Sequence, residues 1–273
     1  MASFSPLVDL TEKTAIVTGS TQGLGADIAR VLSHCGASVV VVGRNADQGI
    51  ALADTLNQEG GSALYCQTDI QQDNDIDRCI EQTLARFDHL DILVNNACIY
   101  EDEGLESTRE QWHRTLGVNL VSAAIFAQKA AVHMKAGNVI INMGSTGGKF
   151  GAAGRALYPA SKAAMLQFTK NLAVTLAPKG IRAVAVSPAW TWSPSVERLS
   201  KGSRPDADRV AAAMHPLGRV GNGAEVGNAV AFLASDAASW ITGVDIPVDG
   251  GFSVLGPDQG VSPRQWFDTI LKN

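Results

Sequence analysis

The chain of 273 residues has little of what marks secreted, metal-binding or membrane-spanning proteins. Its only cysteines are Cys35, Cys66, Cys79 and Cys98, and their spacing fits neither a metal site nor a redox pair. No apolar run approaches the roughly 18 residues of a membrane-spanning helix. Residues 1–6 lack the charged and apolar regions of a signal peptide. We therefore expect reduced thiols, no metal site, no membrane contact and a cytoplasmic location.

Positive charge is also scarce. The formal net charge is −5, so the chain lacks the basic footprint of a nucleic-acid-binding protein. With 45% hydrophobic and 18% charged residues, the composition is ordinary for a globular protein. A single α/β domain often reaches about 250 residues. Because the sequence contains no internal repeat and no linker, we predict one domain over residues 1–273.

Short apolar runs alternate with segments of helical periodicity along the chain. The patterns predict strands at 14–18, 38–43, 63–67, 91–94, 138–142, 182–186 and 244–248. They predict helices near 23–34, 46–58, 73–86, 108–134, 157–177 and 224–235. Runs such as residues 39–42, all valine, are apolar on both faces, as strands between two helix layers should be. The predicted fold class is α/β, a single doubly wound domain with a seven-stranded parallel sheet flanked by helices.

A glycine-rich segment, Gly19, Gly23 and Gly25, follows the first predicted strand and precedes the first helix. Glycines let the backbone approach a pyrophosphate, and a helix N-terminus offers free N–H groups and partial positive charge. The spacing, G-x-x-x-G-x-G, differs from the common G-x-G-x-x-G. The segment predicts a phosphate-binding loop, and a simple turn before a helix is the alternative.

Tyr158 and Lys162 stand four residues apart, which places them on one face of a helix. A free tyrosine is a poor acid or base at neutral pH. An ammonium about 4 Å away stabilises a tyrosinate by roughly 4 kcal/mol at an effective dielectric near 20. The pair therefore predicts a tyrosine that transfers protons. An ordinary exposed tyrosine and lysine are the alternative.

In these motifs the chain resembles the short-chain dehydrogenases/reductases, in the branch of about this length. The resemblance covers Lys13 to Gly251 and rests on marks in the family's order. These are Thr18 to Gly25, Asp69, Asn95-Asn96-Ala97, Asn119, Ser145, Tyr158, Lys162, Ser187-Pro188 and Asp249-Gly250-Gly251. The resemblance implies a Rossmann-type fold and hydride transfer between a nicotinamide and an alcohol or carbonyl carbon. Cys98 and Ala189 stand where the family usually has glycine.

The resemblance implies four catalytic residues. Tyr158 would exchange a proton with the substrate oxygen, and Lys162 would favour the tyrosinate and hold the nicotinamide ribose. Ser145 would hydrogen-bond the substrate oxygen, and Asn119 would position a water that links Lys162 to solvent. Alternatively, Ser145 is only a turn residue and Asn119 only bonds backbone.

The cofactor would contact residues from most loops at the carboxyl edge of the sheet. The implied set is Gly19, Ser20, Thr21, Gln22, Gly23, Leu24, Gly25, Arg44, Asn45, Asp69, Ile70, Asn96, Ala97, Tyr158, Lys162, Pro188, Ala189 and Thr191. Gly43 occupies the position where NAD-binding folds carry an acidic residue, and Arg44 suits a 2′-phosphate. Gln22 stands where many NADP-dependent members have a second basic residue. We expect NADP, with NAD as the alternative.

Aromatic residues near the predicted site suggest an apolar substrate. Tyr100, Phe150, Trp190 and Trp192, with Ser145, would line a pocket for a cyclic, aromatic or steroid-like alcohol or ketone. The same aromatics could instead serve the core or a subunit contact. A rival substrate is a 3-oxoacyl thioester on an acyl carrier protein, met by Arg198, Lys201, Arg204 and Arg209. A non-catalytic NADP(H)-binding sensor is a further alternative.

Three segments lie outside the regular pattern. Residues 144–154 hold five glycines, and residues 190–210 read as a polar loop that could act as a lid over substrate. Residues 252–273 form a C-terminal extension with Trp266, Phe267, Ile270 and Leu271 at helical spacing. Family resemblance implies that this extension packs between subunits. We expect a homo-oligomer, most often a tetramer in this family.

Overall fold

The computed structural model describes residues 8–271 and contains one seven-stranded parallel sheet in the order β3-β2-β1-β4-β5-β6-β7. The strands are β1 Thr14–Thr18, β2 Ser38–Gly43, β3 Ser62–Gln67, β4 Ile92–Asn95, β5 Val139–Met143, β6 Arg182–Pro188 and β7 Asp245–Val248. All seven predicted strands are present to within two residues at either end. The predicted doubly wound α/β fold is confirmed.

Helices cover both faces of the sheet. They are α1 Gly23–His34, α2 Ala46–Gln58, α3 Asp73–Phe87, α4 Arg109–Leu116, α5 Ser122–Ala130, α6 Leu157–Leu176, α7 Pro194–Leu199, α8 Arg204–Ala211, α9 Gly223–Ala234 and α10 Pro263–Leu271. Within residues 8–271, no helix has both the length and the hydrophobicity to cross a membrane. Residues 272 and 273 of the predicted extension lie outside the described part of the chain.

Alternate residues of the buried strands serve two separate cores. Val39 and Val41 join the core that packs against α1 and α9, whereas Val40 and Val42 join the core on the opposite face, with α3, α5 and α6. Successive side chains of a strand point to opposite faces, so a strand between two helix layers must be apolar throughout. This explains why the all-valine run could be placed correctly from the sequence.

The single helix predicted over residues 108–134 is interrupted. A wider π turn over Gly117–Val121 separates α4 from α5. Such a turn adds one residue to a helical repeat and is common at functional sites. Apolar periodicity alone does not distinguish it from a continuous helix, and so the prediction missed it.

The predicted polar loop over residues 190–210 contains two short helices, α7 and α8. Each begins with a serine whose hydroxyl accepts a backbone N–H, Ser193 from Val196 and Ser203 from Asp206. Each also has proline in its first turn, where a missing N–H costs little. The serine and proline of each helix are visible in the sequence, but few apolar residues accompany them.

A buried polar network ties α6 to the sheet next to the site. Asn95 at the end of β4 lies opposite Asn142 in β5 and donates to its side-chain oxygen at 2.9 Å. Asn142 in turn donates to Thr169 Oγ1 in α6, also at 2.9 Å. Buried amides must find such partners, so these bonds specify how α6 packs on β4 and β5.

Candidate active site

The glycine-rich segment forms a cradle in which side chains do not fit. Gly19 has a φ of +64°, and a Cβ on it would lie 2.8 Å from the Ala97 Cα. A Cβ on Gly25 would overlap the Gly19 carbonyl oxygen and lie 2.5 Å from Asn96 Nδ2. Gln22, at the N-cap of α1, makes no side-chain capping bond, and the first turn holds no acidic residue. The free N–H groups of α1 therefore suit a pyrophosphate.

Two predicted cofactor residues have side chains that hold the cradle itself. Ser20 is fully buried, and its hydroxyl donates to Val17 O at 2.6 Å and accepts from Val42 N at 2.9 Å. Asn96 Nδ2 donates to Thr18 O at 2.9 Å. These bonds connect the loop to β1, β2 and β4. Both side chains shape the backbone that would face a cofactor.

Other predicted cofactor residues have mainly local partners. Leu24 packs against the core beside α1, and Ile70 packs against the core on the opposite face. Asp69 Oδ1 accepts from Gln71 N at 3.1 Å, and Ala97 N donates to Thr18 Oγ1 at 3.1 Å. Their cofactor contacts stay predictions.

Arg44 is exposed, and its guanidinium has no hydrogen bond or ion pair within residues 8–271. A Cβ on the preceding Gly43 would lie 2.7 Å from the Thr21 methyl group, so an acidic side chain there would require Thr21 to move. Asn45 caps α2 by accepting from Gln48 N at 3.1 Å. The Thr21 methyl thus limits the position that an NAD-selecting carboxylate would occupy.

Arg44 opens onto a cavity of about 610 Å³ that holds a second arginine, which the sequence did not single out. The lining residues are Arg44, Tyr65, Gln67, Asp69, Asp75, Arg78 and Gln82. Arg78 Nη2 forms an ion pair with Asp75 Oδ1 at 2.7 Å. Arg78 lines the same cavity as Arg44 although the two are distant in sequence, because β2 pairs with β3 and α3 packs beside them. A local sequence motif does not reveal such a residue.

Tyr158 and Lys162 lie together in the first turns of α6. The Lys162 Nζ is 5.7 Å from the centre of the Tyr158 ring. Lys162 is only 3% exposed, and its Nζ donates to Met143 O at 2.7 Å. An ammonium has three donors, and this is its one hydrogen bond within the described chain. Two donors remain for a ligand.

Ser145 begins the glycine-rich loop after β5 and faces the same helix. Its Oγ accepts from Gly147 N at 3.0 Å, so its own proton is free for another acceptor. A Cβ on Gly147 would lie 3.5 Å from Tyr158 Cε1, which places this loop against the tyrosine ring. An ion pair of Lys149 with Asp245 at 2.6 Å fastens the loop to β7.

Asn119 lies in the π turn, and its side chain connects two segments of the site. Its Oδ1 accepts from Ile99 N at 2.8 Å, and its Nδ2 donates to Ile99 O at 3.0 Å and to Ser161 Oγ at 3.1 Å. Both amide donors are therefore used within the protein. The expected water-positioning role stays a prediction.

Asp102, which no sequence motif marks, holds the start of the helix that carries Tyr158. Helix α6 begins after Ala156, which has no side chain to cap it. The Asp102 carboxylate caps the helix from outside, accepting from Ala156 N at 2.8 Å and Tyr158 N at 3.1 Å. Burial alone would raise the pKa of the Asp102 carboxyl. The hydrogen bonds from the N–H groups of Ala156, Gly104 and Tyr158 outweigh this effect, so the pKa lies below its usual value. Only the absent cap at Ala156 signals this contact in the sequence.

The predicted substrate residues separate into two environments. Tyr100 stacks on Tyr158 with ring centres 4.9 Å apart, and it is 60% exposed. Phe150 and Trp190 are also half-exposed. Trp192 instead packs against the small core of α7 and α8, with the Arg204 guanidinium 5.4 Å above its ring.

Behind two of these aromatics lies His215, which no sequence motif marks. Its ring is 5.8 Å from that of Trp190 and 5.4 Å from that of Phe252, and Phe252 meets Phe150 edge-on at 5.9 Å. His215 is 2% exposed and places Nδ1 3.1 Å from Ala211 O. The group forms an aromatic wall at the ends of β5, β6 and β7.

The start of α7 lies against the glycine-rich segment. Trp192, Ser193 and Pro194 line a cavity of about 450 Å³ together with Thr21 and Gln22. Ser193 was not among the predicted residues. The first residues of the segment over 190–210 therefore lie beside the cradle, and the role of this segment as a lid over substrate stays a prediction.

Pro188, Ala189 and Thr191 lead from β6 into that segment. Pro188 is the last residue of β6, and Ala189 N donates to Val248 O at 3.4 Å. The Thr191 hydroxyl donates to Ala189 O at 3.2 Å. Their contacts with a cofactor stay predictions.

Comparison with known proteins gives concordant results. A family model described as Enoyl-(Acyl carrier protein) reductase matches residues 19–253. The chain is 36% identical over 250 residues to a cis-4-hydroxycyclohexanecarboxylate dehydrogenase of Sinomonas cyclohexanicum, covering 89% of this chain and 98% of that protein. It is also 36% identical over 246 residues to the Escherichia coli 3-oxoacyl-[acyl-carrier-protein] reductase FabG, with the same two coverages.

Solved structures agree with the fold. A dehydrogenase/reductase from Sinorhizobium meliloti 1021 superposes with a TM-score of 0.82 at 31% identity, covering 89% of this chain and 96% of that chain. A mutant of a Serratia marcescens short-chain dehydrogenase/reductase also superposes with a TM-score of 0.82. Its sequence is 33% identical, and the match covers 89% of this chain and 99% of that chain.

The close contacts of the cradle predict that a side chain at Gly25 lowers the stability of the protein. In Gly25→Ala the added methyl group would separate Asn96 from the Gly19 carbonyl, so we expect a loss of about 1–3 kcal/mol in the free energy of unfolding. Denaturant unfolding without cofactor measures this loss. Gly151→Ala is the control, because a Cβ there meets no atom within 4 Å. Equal stability of the two variants would contradict the cradle geometry.

Proposed function

The chain belongs to the short-chain dehydrogenase/reductase family, and we propose that it transfers hydride between NADP(H) and a secondary alcohol or ketone of a cyclic or aromatic, apolar substrate. Proteins of this family use NAD(P)(H), and the chain is accordingly an oxidoreductase acting on CH–OH or ketone groups. The observation that carries the proposal is the pairing of Tyr158 with the buried ammonium of Lys162 on one face of α6.

The residues of the cradle fit a dinucleotide. When bound, the nicotinamide supplies or accepts the hydride. Gly19 and Gly25 leave room for phosphates, and the uncapped N-terminus of α1 offers N–H donors to them. The two unused donors of Lys162 would hold the ribose hydroxyls.

Tyr158 exchanges a proton with the substrate oxygen, and Ser145 hydrogen-bonds that oxygen. In reduction, Tyr158 donates its hydroxyl proton to the carbonyl oxygen, and in oxidation it takes the proton of the alcohol. The charge of Lys162 favours the tyrosinate that the first of these steps leaves behind. The free Ser145 proton would hydrogen-bond the same substrate oxygen, a contact worth about 2–4 kcal/mol at the transition state.

We favour NADP because of the two arginines beside the adenosine end of the cradle. Arg44 is exposed with a guanidinium free of ion pairs within residues 8–271, and Arg78 lines the same cavity. A guanidinium–phosphate contact contributes about 1.5–3 kcal/mol, enough for a tenfold or larger preference. The Thr21 methyl next to Gly43 also disfavours the carboxylate arrangement of an NAD site.

The aromatic wall supports a cyclic or aromatic substrate. Phe150 and Trp190 are half-exposed at the carboxyl edge of the sheet, and the Sinomonas relative acts on a cyclic alcohol according to its name. An acyl-carrier-protein substrate is the second candidate, favoured by the similarity to FabG. Arg204 and Arg209, two of the four cations considered for such a partner, are paired with Asp208 and Asp206. The presence of Ser145, Tyr158 and Lys162 together speaks against a non-catalytic sensor.

We also propose a single catalytic domain that assembles into a homo-oligomer, a tetramer by family resemblance, in the cytoplasm. Helix α10 leaves Phe267 and Ile270 about two-thirds exposed. Burial of this face in a subunit interface would remove apolar surface from water. The four cysteines, all free thiols, are compatible with a reducing compartment.

Substitution Tyr158→Phe tests the chemistry. We expect turnover to fall by at least about 10²-fold, because the proton donor is lost while the ring and its packing remain. The assay is NADPH oxidation against cyclic, aromatic and acyl-thioester ketones, with NADPH binding measured by calorimetry. Retained binding with lost turnover supports the proposal, and undiminished turnover in the variant contradicts it.

Arg44→Ala tests the cofactor preference. We expect the ratio of kcat/KM for NADPH to that for NADH to fall at least about tenfold, since one phosphate contact is lost. Arg78→Ala should lower the ratio less, because Arg78 is already paired with Asp75. Arg86→Ala is the control on α3, as its guanidinium lies over Phe87. An unchanged ratio in Arg44→Ala would refute the assignment.

Sedimentation equilibrium tests the assembly. We expect the wild-type mass to be at least twice the 28.6 kDa of one chain. The double substitution Phe267→Asp and Ile270→Asp should lower it, because buried unpaired charge opposes association. Ile50→Asp, at a half-exposed position on α2, is the control. A wild-type monomer, or a variant as large as the wild type, would contradict the role of α10.

A further inference from the structure

His215 has a buried ring nitrogen to which no group of the described chain is bonded. The side chain is 2% exposed, and its Nε2 is buried without a hydrogen-bond partner among residues 8–271. The other ring nitrogen, Nδ1, lies 3.1 Å from Ala211 O. Buried polar groups are almost always hydrogen-bonded, because an unpaired one costs stability. Packing alone therefore does not explain a histidine at this position.

The contact at Nδ1 determines what Nε2 can bind. A carbonyl oxygen only accepts, so Nδ1 carries the proton in its contact with Ala211 O. A neutral imidazole with a protonated Nδ1 leaves Nε2 as an acceptor. The cation next to Phe150, Lys149, is already paired with Asp245 at 2.6 Å. The environment of Nε2 therefore suits a neutral donor such as a hydroxyl group better than a carboxylate.

The backbone around His215 is held at the carboxyl end of β7. His215 N donates to Ala211 O at 2.8 Å, and Leu217 N donates to Gly250 O at 3.0 Å. A Cβ on Gly250 would lie 3.7 Å from the Cβ of His215, so the two segments are in contact. The two nitrogens of an imidazole point apart. With Nδ1 held by Ala211 O, Nε2 is directed away from the backbone of α8.

A row of rings connects His215 with the loop beside Tyr158. The ring centre of His215 is 5.8 Å from that of Trp190 and 5.4 Å from that of Phe252. Phe252 in turn lies 5.9 Å from Phe150, which belongs to the glycine-rich loop against the Tyr158 ring. Trp190 and Phe150 are half-exposed. The unpaired nitrogen is thus part of the aromatic wall, at a distance from the proposed reacting group.

We propose that His215 is a specificity-determining residue whose Nε2 accepts a hydrogen bond from a substrate hydroxyl group remote from the reacting carbon. The inference rests on the proposed function, in which Tyr158 exchanges a proton with the reacting oxygen. The half-exposed side chain of Trp190 turns aside to admit the hydroxyl, while its carbonyl stays bonded to Gly221 N at 2.8 Å. The substrate class is therefore cyclic hydroxyketones and the corresponding diols, and no proton is transferred at His215.

Pairs of ketones that differ only in the remote hydroxyl test the inference on the full-length protein with NADPH. The pairs have one, two and four rings: 4-hydroxycyclohexanone with cyclohexanone, 6-hydroxy-2-decalone with 2-decalone, and 3-hydroxyandrostan-17-one with androstan-17-one. In at least one pair we expect kcat/KM of the wild type to be at least about tenfold higher for the hydroxyketone. The reason is that the analogue without the hydroxyl leaves Nε2 unpaired.

Substitutions at His215 assign this preference to its nitrogen. His215→Phe keeps an aromatic ring and removes both nitrogens, so the ratio of kcat/KM within the pair should fall towards one. His215→Gln keeps an acceptor and should restore part of the preference. His133→Phe, at an exposed histidine after α5, is the control and should keep the wild-type ratio. Thermal unfolding of each variant reports folding.

Nitrogen NMR of the histidine rings gives a readout that is independent of turnover. The chain has five histidines, and the signals of His215 are those missing in His215→Gln. We expect a neutral ring with its proton on Nδ1. In the wild-type complex with NADP⁺, where a ketone cannot react, the Nε2 resonance should move with the preferred hydroxyketone and stay in place with its partner ketone. This measurement is made on the wild-type protein and does not depend on the stability of His215→Phe.

The outcomes separate the inference from the proposed function. Turnover of the ketones with equal kcat/KM within every pair overturns the inference alone, and so does a preference that persists in His215→Phe. A preference for 4-oxocyclohexanecarboxylate over cyclohexanone that is lost in His215→Phe would identify a carboxylate as the ligand and also overturn it. No turnover of any ketone, or full turnover in Tyr158→Phe, refutes the proposed function and the inference with it.

Discussion

The position of the first turns of α6 is the constraint on which the rest of the site depends. The turn carries Tyr158 and leads to Lys162, and its free N–H groups would be costly to leave unpaired where they are buried. Asp102 satisfies them from another segment. Farther along α6, Thr169 bonds to Asn142 of β5, and Lys162 bonds to Met143 at the end of that strand. Helix, strand and loop thus determine one another's positions at the edge of the sheet.

A steric constraint acts at the other half of the site. The cradle brings the Gly19 backbone against Ala97 and the Gly25 backbone against Gly19. Such close approach requires residues without Cβ atoms, and polar side chains hold the loop to the neighbouring strands. Ser20 and Asn96 do this by bonding to β1 and β2. Two of the residues predicted to bind a cofactor therefore have side chains that hold the loop in place, which a sequence motif does not reveal.

The fold could be predicted nearly completely from the sequence because its signals are local. Strand β2 has four consecutive valines and ends in glycine, so its limits are visible in a short stretch of the chain. The pairing of Tyr158 with Lys162 is likewise local, a consequence of helical spacing. Asp102, Arg78 and His215 could not be found in this way. Each acts through partners distant in sequence, namely α6, β2 with β3, and the ends of β6 and β7, and only the folded chain brings these together.

The chemistry and the choice of substrate are consequently built on different parts of the molecule. In the proposed mechanism, proton transfer depends on groups that hydrogen bonds hold in place: Lys162 bonds to Met143, Asn119 to Ile99, and Asp102 to Tyr158. The substrate surface depends on half-exposed aromatics that follow strand ends and on α7 and α8, which pack in a small core of their own. Substitutions in these loops change the shape of the pocket without disturbing the buried bonds. Relatives that share about a third of this sequence are named for substrates as different as a hydroxycyclohexanecarboxylate and a 3-oxoacyl-[acyl-carrier-protein], which is consistent with such a separation.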